Sequence, residues 1–98
     1  MTDRELDEAV RVHVYGWDPA TARETERLIH YSTHIEHAWL VVEEMRRRGW
    51  WFRLHYDDDL SCATFACPGR PSGEGVDPRA PFAISIAALR ALGVEVQP

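Results

Sequence analysis

The chain has 98 residues, 45% of them hydrophobic and 28% charged, with a formal net charge of -5. That length accommodates one domain with a modest core, and the composition excludes an intrinsically disordered chain. The acidic balance excludes wrapping of extended nucleic acid, which needs a surplus of cations, and no apolar run approaches the ~18 residues of a membrane span.

Thr2 or Asp3 is placed to cap a first helix whose apolar positions Leu6, Ala9, Val10, His13 and Val14 follow the helical period, with Gly16 to end it. His13 then reads as a histidine at the core edge. Asp18-Pro19 marks a turn, and Ala20 to Ile29 has the pattern of a polar turn of helix or an ordered loop; the whole of 17–32 reads as an insertion-like loop. Thr33 with Glu36 has the spacing of a capping box, which predicts a second helix from His34 to Arg48 closed by Gly49.

Trp50 to Tyr56 alternates with period two: Trp50, Phe52, Leu54 and Tyr56 share one face, and Trp51, Arg53 and His55 the other. Asp57-Asp58-Asp59 makes a turn, and Leu60–Cys67 returns as an antiparallel strand with Ala63 and Phe65 facing the core. Cys62 and Cys67, five apart on that strand, would lie roughly 16 Å apart on opposite faces; both are expected to be free thiols, since a bridge needs Cα atoms within ~7 Å. Pro68 to Arg79, with three Gly and three Pro, reads as loop. Pro81 suits the first position of a last helix running to Leu92 before Gly93, and Val94–Val96 has the pattern of a short edge strand.

This order predicts an α+β fold: a small antiparallel hairpin or three-stranded sheet sandwiched by helices, in α-α-β-β-α order, as a single domain over residues 1–98. The last helix is apolar on two sides, Ile84, Ala87, Ala88 and Ala91 on one and Phe82, Ile86 and Leu89 on the other. Either it is the central buried element or its second stripe meets another protomer. The small size of the chain favours a homo-oligomer.

Among candidate sites, His30, His34 and His37 have spacing that lets imidazoles share a metal, yet no further residue supplies a fourth ligand at a fixed spacing. A solvent-facing flank of the helix is the stronger reading. Asp57 to Asp59 lacks the alternating ligands of a calcium loop. No nucleophilic triad, phosphate-binding glycine loop or catalytic carboxylate pair is present, so neither an enzyme nor a cofactor is expected. More telling is the interleaving of cations and rings from Arg46 to Arg53. Arg46 falls on the stripe of Ile35, Trp39 and Val42, where a charge must reach an edge or meet an anion. Trp51, Arg53 and His55 share one strand face, which suits a base stacked on the indole with its phosphate on a guanidinium. The plainer alternative has Arg47 and Arg48 complementing the helix dipole and Trp51 packed beneath a helix.

Two stretches together resemble a known family. Tyr31-Ser32-Thr33 leads into Ile35, Ala38-Trp39 and Val41-Val42 and ends at Arg46-Arg47-Arg48-Gly49; Ala80-Pro81-Phe82-Ala83-Ile84 continues through Ala87-Ala88-Leu89 to Ala91-Leu92-Gly93. This is similar to the phage ABA-sandwich domain family, small proteins of phages and prophages. The resemblance implies an accessory role in the cytoplasm of a host cell. With it, the expected function is a non-enzymatic binding protein, an anti-defence factor that sequesters a small anionic or nucleotide-derived host signal, using Arg46, Trp51, Arg53, His55 and Tyr31. The alternative is a protein-interaction module that inhibits a host protein; a His-based metal activity ranks third.

Overall fold

The computed structural model describes residues 1–24 and 29–96. Its elements are α1 (Asp3–His13), α2 (Pro19–Glu24), α3 (Ile35–Arg47), β1 (Trp51–Asp57), β2 (Leu60–Cys67), β3 (Arg70–Asp77) and α4 (Ala80–Ala91). The α+β class and the three-stranded antiparallel sheet stand as expected, with strand order β1-β2-β3. Among the described residues no helix is long and apolar enough to cross a membrane.

Thr2 caps α1 through a full capping box: its hydroxyl accepts from Glu5 N–H at 3.2 Å, and Glu5 Oε1 accepts from Thr2 N–H at 2.9 Å. The helix buries Leu6 and Val10, and with them Asp7 and Arg11, whereas His13 is exposed. The expectation that His13 sits at the core edge is therefore wrong. The buried flank turns toward the segment that follows: Asp7 Oδ1 accepts from Ser32 N–H at 2.9 Å, and Arg11 donates to the Ile29 carbonyl at 3.1 Å. These two charges satisfy backbone groups that would otherwise be orphaned in the interior.

The 17–32 stretch is not all loop, although residues 25–28 of it lie outside the described residues. Asp18 accepts from the N–H groups of Ala20 and Thr21 at 3.1 and 3.3 Å, so Asp18-Pro19 is the cap and first residue of α2 rather than a plain turn. The capping box expected at Thr33 and Glu36 does not form. His34 is the N-cap with no side-chain bond to the helix, and the Thr33 hydroxyl instead meets His34 Nδ1 at 2.9 Å.

At the other end of α3, Gly49 adopts φ +97 and closes the helix as expected. The β1–β2 turn is a two-residue connection, Asp58 and Asp59, both at positive φ, which matches the twist of a hairpin. The largest departure is β3, which occupies the region read as loop. Pro68-Gly69 is a two-residue turn with Gly69 at φ +79, and the chain returns along β2 with Thr64 opposite Glu74 and Cys62 opposite Val76. Pro71 is tolerated because β3 is an edge strand. Val94–Val96 forms no strand.

Helix α4 is the centre of the molecule. From Phe82 to Leu89 every residue is buried, so its two apolar stripes are both used within one chain: one side meets β2 and β3, and others meet α1 and α3. Gly73 and Gly75 permit this closeness. A Cβ on Gly73 would run into the backbone of Ala87 and Ala91, and one on Gly75 into the Ala83 carbonyl. Phe65, fully buried, packs beside Phe52, whose ring meets Trp39 edge-on with centroids 5.9 Å apart.

The helices expected on both faces of the sheet instead gather on one. Helix α1 lies against α4, and α3 lies against both α4 and the inner side of β1, so the outer sheet face stays bare, with Trp51 63% and Val76 51% exposed.

Candidate functional site

The register of the sheet sets what the outer face carries. Trp51, Arg53 and His55 alternate with the core-facing Phe52 and Leu54 on β1. Opposite them on β2 stand Ala66, Thr64 and Cys62, and beyond Thr64 and Cys62 on β3 stand Glu74 and Val76. Two cross-strand rows result, Arg53–Thr64–Glu74 and His55–Cys62–Val76. Small residues occupy the middle strand and larger ones the margins.

Three of the five residues expected from the sequence thus converge on one surface: Trp51, Arg53 and His55. Burial of Trp51 beneath a helix, the plainer alternative, is excluded by its exposure. Arg53 and His55 are also exposed, and among the described residues the side chains of both make no hydrogen bond or ion pair. Successive positions on one face of a strand lie ~7 Å apart, which sets the separation of the indole and the guanidinium along β1.

Arg46 and Tyr31 stand elsewhere. The buried face of α3 is Ala38, Val41, Val42 and Met45, while Ile35, Trp39 and Arg46 are exposed, so Arg46 is not forced onto a core stripe. Its side chain makes no bond among the described residues. Tyr31 is buried and stacks on Tyr15 with ring centroids 5.6 Å apart, in a groove between α3 and the segments that follow α1 and precede α3. Burial pushes both phenols above the ordinary tyrosine range; at Tyr15 the field of Tyr31, Glu44 and Glu43 adds to it.

The three histidines do come together. Their ring centroids lie 5.2 Å (His30 to His34), 5.3 Å (His34 to His37) and 6.3 Å (His30 to His37) apart. Local structural bonds use them: His37 Nδ1 accepts from His30 N–H at 2.8 Å, and His30 Nδ1 lies 3.8 Å from Asp7 Oδ2. Among the described residues no group of three or more His, Cys, Asp or Glu is arranged to hold a metal ion. Cys62 and Cys67 are free thiols.

Glu74 and Val76 went unrecognised because they lie in a stretch whose Gly and Pro content reads as loop. The Pro68-Gly69 pair followed by alternating Ser72, Glu74 and Val76 was the available signal for a returning strand.

Comparison with known proteins agrees with this architecture. A crystal structure of a phage protein from Bacillus cereus ATCC 14579 superposes with a TM-score of 0.80 at 23% sequence identity, covering 99% of this chain and 93% of that one, a likeness of fold. No curated protein matches significantly. The profile of the phage ABA sandwich domain matches residues 8–89, most of the chain, and the protein accordingly belongs to the phage ABA sandwich domain family.

Proposed function

We propose that this small phage-family protein is a non-enzymatic binding protein that takes a small, flat, anionic ligand of the nucleotide class on the outer face of its sheet, and that its use is the sequestration of a host defence signal. The observation that carries this reading is the exposed Trp51 indole beside the unpaired Arg53 and His55 on an uncovered sheet. An indole offers any base a stacking surface worth about 1–3 kcal/mol, and a guanidinium grips a phosphate with two parallel bonds. Arg46 supplies a further unpaired cation on α3. Tyr31 takes no part, because it belongs to the groove beside α3.

Isothermal titration with mononucleotides, cyclic dinucleotides and ADP-ribose tests the assignment. Trp51→Ala and Arg53→Ala should each weaken binding about tenfold or more, by the stacking magnitude above. Full retention of affinity in both variants sinks the site.

Val76 and Leu60, exposed on the same face, favour a second reading in which a protein docks there instead. Under it no nucleotide binds, and a stoichiometric complex with a host protein survives native mass spectrometry. A homo-oligomer is part of either reading, and the same spectrum reports subunit number. It does not draw on α4, whose second stripe is buried inside its own chain.

A further inference from the structure

The groove that holds Tyr31 is independent of the sheet face and has a chemistry of its own. Its cavity of about 460 Å³ is lined by Tyr15, Trp17, Ile29, Tyr31, Leu40 and Glu43, with the Glu44–Arg47 pair at its side. That volume lies in the range of small-molecule sites. We infer that this groove is a binding site for an amphipathic organic cation, an ammonium group carried on an apolar alkyl or aryl body.

The aromatic content comes first. Tyr15 and Tyr31 are stacked within 22° of parallel, and Trp17 and Leu40 remain 37% and 40% exposed at the opening. An apolar body placed here covers large side chains that the fold leaves partly bare. Aromatic rings also attract a cation through their negative faces, and most strongly where water is partly excluded. The phenols stay neutral, since burial opposes their ionisation.

The charges then select the sign of the ligand. Both oxygens of Glu44 are engaged: Arg47 donates to Oε1 at 3.1 Å and to Oε2 at 2.6 Å, and Arg48 donates to Oε2 at 2.9 Å. Arg47 is thereby committed to its neighbour. Glu43, exposed on the same helix, has no side-chain partner among the described residues. Among the described residues that line the groove, Glu43 is the ionic group without a side-chain partner, a carboxylate beside an aromatic wall. An anion would meet Glu43 with its repulsion, and a neutral molecule would leave it idle.

Benzyltrimethylammonium and its neutral counterpart benzyl alcohol, titrated into the full chain and followed by the Trp indole N–H resonances in NMR, test the inference. The cation should bind at least tenfold more tightly than the alcohol. Glu43→Gln should erase that preference, and Trp17→Leu should weaken both probes; both residues are exposed, so the fold is retained. Trp51→Ala should leave cation binding unchanged, which separates this site from the sheet face. Equal binding of the two probes, an undiminished preference in Glu43→Gln, or no binding of the cation at millimolar concentration would overturn it.

Discussion

The two faces of the sheet are made by the same three strands, yet they answer to different constraints. On the inner face Phe52, Ala63, Phe65, Gly73 and Gly75 meet α4 and α3, and the spacing is set by backbone against backbone at the glycines. On the outer face Trp51, Arg53, His55, Glu74 and Val76 are exposed and Thr64 is half-buried. An alternating strand therefore separates core packing from exposed surface at single-residue resolution. A residue at an inner position is fixed by volume, whereas its immediate neighbours in sequence are released from the core and available for a ligand.

The comparison breaks most visibly at Phe65. This ring is fully buried between Phe52 and α4, and Phe65→Ala should cost about 3–5 kcal/mol, the usual toll for an aromatic removed from a core. For a 98-residue domain that loss approaches the whole of a typical stability. Chemical denaturation monitored by circular dichroism reads it directly. An unchanged midpoint would mean that the inner face is not the core.

Gly75→Ala comes next. The added methyl would meet the Ala83 carbonyl and, at 2.9 Å, the Ala87 nitrogen. Neither can swing aside as a side chain would, so β3 must lift from α4. The expected loss is about 3 kcal/mol, the upper end for overpacking. Glu74→Ala, one residue away on the outer face, should change stability by less than ~0.5 kcal/mol. If both variants melt together, the glycines are not the means of close approach.

The same glycines explain where the sequence was opaque. Helix α1, the α3 terminus at Gly49, the β1–β2 hairpin and the Pro81 start of α4 were legible because each is written in local chemistry: a capping residue before a helical apolar period, a left-handed cap, a period of two, a proline at a first turn. Strand β3 was not, since Gly73 and Gly75 signal a loop when read locally and acquire their meaning only from Ala83, Ala87 and Ala91 of a helix that comes later in the chain. The Thr33–Glu36 pair failed for the opposite reason. Its local pattern was right, but the Thr33 hydroxyl found His34, and the loop held by Asp7 set a different entry into α3. Of the candidate site, the grouping of Trp51, Arg53 and His55 was visible in the strand period. That their face lies open was not, because it depends on α1 packing onto α4 and on α3 packing onto α4 and the inner side of β1, which leaves the other sheet face uncovered.

A smaller effect sits at the edge of the groove. Hydrogen bonds from Arg47 and Arg48 hold the Glu44 carboxyl down to about 2 from its ordinary 4.5. A depressed folded-state value means that this group favours folding fully above 4.5 and loses its contribution as pH falls toward 2. Glu44→Gln should thus lower the denaturation midpoint modestly at neutral pH, with the gap to the parent closing between pH 4.5 and 2. A gap constant over that window would mean that the ion pairs are not formed in solution.

The smallest expected effect is the one that sharpens the contrast furthest. Trp51 is the largest residue type, and in a core its truncation to alanine costs several kcal/mol. On the outer face Trp51 is 63% exposed and, among the described residues, stacks on no other aromatic ring, so Trp51→Ala should shift stability by less than ~0.5 kcal/mol. Set beside the Phe65 variant, this gives two aromatic truncations on adjacent strands with costs differing by several kcal/mol. A stability change near zero, combined with lost nucleotide affinity, assigns the indole to binding. A large destabilisation instead means that something covers the face in solution, and a midpoint that rises with protein concentration would identify the cover as a second copy of the chain.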